Sequence, residues 1–125
     1  MNNDETMKLQ AGREIDDLIA TQVMGWLIGD KGAHYIGNAG KNIFYVIAGD
    51  FQPSDDISAA WCVIDKLEQD DKIIEITRLA NFGTRKTLCW NVRFRHVGHN
   101  NSWNAQAETA PLAICRAALN INPES

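Results

Sequence analysis

At 125 residues with 45% hydrophobic content, the chain has room for one domain with its own core and too little for two. Twelve Lys and Arg against sixteen Asp and Glu give a net charge of −4, which argues against general nucleic-acid binding, where a basic footprint displaces counterions from phosphates. The polar opening Asn2-Asn3-Asp4-Glu5-Thr6 lacks the basic-then-apolar order of a secretory signal, and no apolar run is long enough to span a membrane, so a cytoplasmic protein is expected.

Residues 1–10 read as a flexible tail, 11–122 as a single domain and 123–125 as a second short tail. From Ala11 to Trp26 the apolar residues Ile15, Leu18, Ile19, Val23 and Trp26 recur at three- and four-residue steps, which predicts a helix ending near Gly25. Gly32, Gly37 and Gly40 then punctuate a stretch that suits a hairpin or long loop. The run Ile43-Phe44-Tyr45-Val46-Ile47 predicts a mostly buried strand. Pro53-Ser54-Asp55-Asp56 supplies an N-cap and an acidic first turn to a second helix with the stripe Ile57, Ala60, Trp61, Ile64 and Leu67, closed by Asp70 and Asp71.

Lys72–Leu79 is expected to be a strand, joined through Asn81-Phe82-Gly83-Thr84 to another over Lys86–Val97. In that strand Leu88, Trp90, Val92, Phe94 and His96 alternate with Cys89, Asn91, Arg93 and Arg95, so each set faces one side. Gly98–Glu108 reads as a polar loop. Thr109 caps a third helix, with Pro111 in its first turn where a missing N–H costs nothing. The sum is an α+β fold, an antiparallel sheet of three to five strands packed with three main helices, the first and third lying on it through Ile15, Leu18, Ile19, Leu112, Cys115 and Leu119 and the second on the opposite face or at an edge. Cys62, Cys89 and Cys115 all sit in apolar patterns and are expected to be reduced core thiols.

Three segments together carry a family resemblance. Ala11-Gly12-Arg13-Glu14-Ile15-Asp16 followed by Val23-Met24-Gly25-Trp26, Asp56-Ile57-Ser58-Ala59-Ala60-Trp61 followed by Leu67, and Thr109–Leu119 resemble the opening, middle and closing helices of the phage ABA sandwich domain. That family comprises small phage and prophage proteins of mostly unassigned function. The resemblance implies a sheet with packed helices and a phage or prophage source, hence the host cytosol as location, and transfers no catalytic residue. The strands and loops between the helices match no pattern, and Asn120-Ile121 is less apolar than the family's ending.

The candidate ligand site is the polar side of the Lys86–Val97 strand with the loop beyond it: Asn91, Arg93, Arg95, His99, Asn101 and Trp103, with Arg116 the one member of the closing helix placed to reach it. Guanidinium groups bind phosphate through paired N–H donors, an aromatic ring stacks on a base, and Asn reads a base edge. The competing reading is a solvated face whose arginines pair with the acidic surplus, or an oligomer interface. No metal site is expected, because on a strand the rings of His96 and His99 diverge. Trp26, Trp61 and Trp90 are expected in the core.

With no nucleophile-and-base pair in view, the expected function is non-enzymatic and needs no cofactor. By analogy with small phage proteins that sequester nucleotide immune signals, it is anti-defence binding of a small anionic host molecule, such as a cyclic nucleotide or ADP-ribose derivative, by a homo-oligomer. An alternative is an inhibitor of a host protein acting through protein contacts, and a third is a small nucleotide hydrolase. No membrane partner and no general nucleic-acid binding are expected.

Overall fold

A computed structural model describes residues 3–80 and 88–121. Helix α1 (Asn3–Met7) is followed by α2 (Arg13–Leu18), which continues as a π turn over Ile19–Val23. The Met24 N–H donates to the Ile19 carbonyl and the Trp26 N–H to that of Ala20. Gly25, at φ 76°, then ends the helix in a left-handed conformation that costs glycine nothing. The first sheet has the order β1 (Leu27–Ile28), β2 (His34–Ala39), β3 (Asn42–Ile47), all antiparallel. After α3 (Ile57–Gln69), the second sheet is built from β4 (Lys72–Ala80), β5 (Leu88–His96) and β6 (Ser102–Ala107), with β5 central. Helix α4 (Ala110–Ile121) closes the fold. The fold is thus α+β with three main helices, its antiparallel strands divided between two three-stranded sheets. The expected connection Asn81–Thr84, the Lys86 start of the second strand and the tail 123–125 lie outside the described residues.

Helix α4 is the centre of the core. Leu112 to Asn120 are all buried, packed by β5 and β6 on one side and by α1, α3 and the π turn on others. Val92, Phe94, Ala105 and Ala107 meet it from the inner side of the second sheet, and Ile15, Ile19, Val63 and Ile64 from the helices. Burial of this kind removes apolar surface from water and is the main stabilising term.

Several expectations change. Residues 1–10, expected to be a loose tail, carry α1, whose Thr6 is buried and donates to Asn120 Oδ1 at 2.8 Å. In α3 the buried set is Ala59, Ala60, Val63, Ile64 and Leu67, with Ile57 and Trp61 turned out. Trp61 is one residue, about 100°, past Ala60 on the helix. The stripe at 60, 63, 64 and 67 therefore excludes it. Cys62 is exposed, Cys89 half-buried and Cys115 buried, and all three are free. Strand β3 is buried on one side only: Phe44 and Val46 are half-buried, while Ile43, Tyr45 and Ile47 face outward. Where β2 and β3 approach the helix layer, Gly37 carries the Phe44 and Trp26 rings directly against its Cα, a position with no space for a Cβ.

Gly98–Glu108, expected as a loop, contains β6. Its alternation of Ser102, Asn104 and Gln106 outward with Trp103, Ala105 and Ala107 inward is a strand period of two, which its polar composition concealed.

Candidate functional site

Strand β5 positions the candidate site. Val92 and Phe94 go into the core, so Asn91, Arg93 and Arg95 must face the other way. Register brings Glu75 and Thr77 of β4 opposite Arg93 and Asn91 on one flank, and Ser102, Asn104 and Gln106 of β6 opposite Arg95, Arg93 and Asn91 on the other. The result is an open polar face with two guanidinium groups along its central strand. Helices α3 and α4 contact β4, β5 and β6 from the inner side. The outer arginines thus escape the cost of burying charge.

The two arginines are not equivalent. Arg95 Nε lies 3.2 Å from Glu75 Oε1, a diagonal ion pair between half-exposed groups that contributes little to stability. Arg93 is exposed, and among the described residues it has no ion pair. Its strand neighbours across the ladder are Glu75, already engaged, and the neutral Asn104. Among the described residues its planar fork of N–H donors thus has no carboxylate partner.

The other residues expected at the site fall elsewhere. His99 and Asn101 are exposed in the β5–β6 turn, where Gly98 at φ 81° and the bond from the His99 N–H to the His96 carbonyl fold the chain back. That turn brings the His96 and His99 rings edge to face at 4.5 Å between centroids, so they converge where a continuing strand would separate them. Among the described residues no group of three or more His, Cys, Asp or Glu is arranged to hold a metal. Trp103 sits opposite Phe94 and packs on the core side, with the Lys72 ammonium 5.8 Å from its ring centroid. It is on the wrong face to stack on a ligand held by Arg93.

Arg116 is buried on α4. Its Nε and Nη2 donate to the Leu9 carbonyl at 3.0 and 2.7 Å, and its Nη1 to that of Gln106 at 2.9 Å. Desolvation lowers its pKa from the usual arginine value. A cleft of about 220 Å³ lined by Met7, Gln10, Gln106 and Leu112 opens beside it, but the guanidinium is committed to tying the N-terminal segment to β6. Beside it, Asn120 Nδ2 donates to the Asn104 carbonyl at 3.1 Å. The sequence reading missed Glu75, Thr77, Ser102, Asn104 and Gln106. The signal for them is the period-two alternation of β4 for Glu75 and Thr77, and of β6 for Ser102, Asn104 and Gln106.

A second polar cluster lies on the far side of the core. Asp17 Oδ1 accepts from the Tyr35 hydroxyl at 2.7 Å and from Arg13 Nε at 2.7 Å, and Arg13 also donates to the Gly32 carbonyl. Asp16 Oδ1 accepts from the Ser54 N–H at 2.9 Å. Burial pushes the Asp16 carboxyl up, opposed by the Ser54 bonds, and it raises the Tyr35 hydroxyl well above its usual value, assisted by Asp17. These contacts join α2 to β2 and to the segment before α3, and they are structural.

The model of the phage ABA sandwich domain matches residues 17–119. The chain belongs to this family. Both sheets, α3 and most of α4 fall within the matched domain, whereas α1 and the first turn of α2 precede it. A similar solved structure is a phage protein from Bacillus cereus ATCC 14579, determined at 2.0 Å, with 27% sequence identity and a TM-score of 0.57; the match covers 90% of this chain and 93% of that one. No curated protein matches. As an ABA sandwich phage protein, the chain has no helix among its described residues long and apolar enough to cross a membrane.

Proposed function

We propose that the open face of the second sheet binds a small anionic host molecule and sequesters it without turnover, the ligand class being a nucleotide-derived immune signal such as a cyclic nucleotide or an ADP-ribose derivative. The reading rests on Arg93, an exposed guanidinium on the central strand with no ion pair among the described residues. Around it Asn91, Asn104 and Gln106 offer amide donors and acceptors to a base or ribose. The outward positions of β4, β5 and β6 hold no aromatic residue, so recognition runs through phosphate and amide contacts in place of ring stacking. A phage origin gives such binding a purpose, since removing a host alarm signal needs affinity and no chemistry.

Titration calorimetry of the protein against cyclic dinucleotides and cyclic ADP-ribose derivatives tests this, followed by denaturation and mass analysis of the released ligand. Binding that Arg93→Ala abolishes, with the ligand returned unchanged, supports the proposal. Absence of binding across the panel overturns it, and a changed ligand mass replaces it with the hydrolase reading. Inhibition of a host protein is the second reading, supported by β4 lying at the edge of the second sheet opposite β6, whose own outer carbonyls of Asn104 and Gln106 are taken by α4. A stable partner captured from host lysate together with no nucleotide binding favours it.

A further inference from the structure

The two sheets differ in the side they turn away from the core. An antiparallel sheet covered on one face ordinarily alternates apolar inward and polar outward. The second sheet largely follows this, with Glu75, Thr77, Asn91, Arg93, Asn104 and Gln106 outward and Ile73, 42% exposed opposite Arg95, as an apolar exception. The first does not. Register places Leu27 beside Ile36 and Ile36 beside Tyr45, and Ile43 and Ile47 share the Tyr45 side of β3. Leu27 and Tyr45 are each 68% exposed, Ile43 61% and Ile47 64%, while Tyr35, on the opposite side of β2, is buried.

We propose that this face is the contact surface of a symmetric homodimer, a second copy of the chain lying over it sheet against sheet. Area is the first argument. The four most exposed side chains present roughly 500 Å² of apolar surface, within the range of about 300–600 Å² for the largest patch on a monomer and over half of the about 800 Å² that each partner gives a stable interface. Half-buried Ile36 and His34 and exposed Asn38 lie on the same side of β2 and add to it.

Charge is the second argument. Each copy carries −4, so two copies meet most readily where neither presents a charged group. The outward positions of β1, β2 and β3 hold no Asp, Glu, Lys or Arg, and His34 stands with its ring edge-on to Tyr45 at 5.7 Å. A foreign partner drawn to an acidic protein is steered by complementary charge, and this face offers none. The third argument is β3 itself, an edge strand whose residues Asn42–Ile47 include neither charge nor proline. Nothing along β3 thus opposes the approach of an identical uncharged face to its outward side chains Ile43, Tyr45 and Ile47. A closed two-fold contact uses that face in both copies and leaves none of it for further growth. The inference is independent of any ligand on the second sheet.

Sedimentation equilibrium at micromolar concentration tests it. The expected mass is twice the 13.9 kDa of one chain. The double variant Ile43→Lys with Ile47→Lys is expected to sediment as a monomer with an unchanged far-ultraviolet circular dichroism spectrum, since both side chains are exposed in the single chain. Thr77→Lys, on the second sheet, is expected to leave the dimer intact. Should the double variant fail to fold, Tyr45→Ser is expected to raise the dimer dissociation constant at least tenfold. A wild-type mass of 13.9 kDa at every concentration overturns the proposal. So does a dimer indifferent to these substitutions, an open-ended assembly, or a monomer whose first sheet is instead masked by a host protein.

Discussion

The Arg116 guanidinium and the Leu9 carbonyl, 107 residues apart in sequence, are joined by two hydrogen bonds of 3.0 and 2.7 Å. This contact, with the Thr6–Asn120 bond, fastens the start of the described chain to the helix at the centre of its core. Arg116→Met keeps the bulk of the side chain and removes the donors, leaving the carbonyls of Leu9 and Gln106 without them. We expect a loss of about 2–4 kcal/mol in urea unfolding, the usual cost of breaking a buried charged network. Limited proteolysis should then cut first between α1 and α2.

The rotated packing face of α3 is tested by two neighbouring substitutions. Val63→Ala removes buried methyl groups and should cost about 2 kcal/mol. Trp61→Ala, at a position 52% exposed, should cost about 1 kcal/mol or less. Thermal unfolding of the pair decides it, and the opposite order would restore the stripe that runs through Trp61.

Asp16 gives the fold a pH dependence of definite sign. Its folded pKa is raised above the ordinary 3.8, first by desolvation. Between these two values the folded state holds more protons than the unfolded one, so stability falls as pH rises through that window. Asp16→Asn retains an acceptor for the Ser54 N–H and removes the titration. It should equal or exceed the wild type in stability at neutral pH, with the difference shrinking below the ordinary carboxylate pKa, as denaturant midpoints across pH will record.

Trp103 and Arg93 separate structure from binding. Trp103→Ala should lower stability by about 2 kcal/mol through lost packing on Phe94, and leave the affinity of the second sheet for anions within a factor of two. Arg93→Ala should reverse this, with unchanged thermal stability and at least tenfold weaker nucleotide binding by calorimetry.

What could be read from the sequence was what local pattern determines. The alternation along β5 assigned Asn91, Arg93 and Arg95 to one side correctly, and the caps and periodicity at Asp56 and Thr109 located α3 and α4; the Asp56 carboxylate accepts from the Ser58 N–H at 3.0 Å, and the Thr109 hydroxyl from that of Leu112 at 3.4 Å. What failed depended on partners distant in sequence. Nothing in Thr6 or Leu9 announces Asn120 and Arg116. An apolar run such as Ile43–Ile47 signals a strand but does not say whether anything covers its second side. Trp103 reads as a loop residue because the polar composition around it masks a short alternation; the strand it belongs to turns its ring to the core side.

Helix α4 is enclosed by elements that all precede it in the chain, which orders events during synthesis. Until Leu112–Leu119 has emerged from the ribosome, Val92, Phe94, Ala105 and Ala107 lack the helix that covers the inner side of the second sheet. The second sheet therefore gains the cover of its inner side only when α4, the helix that follows its strands, has been made.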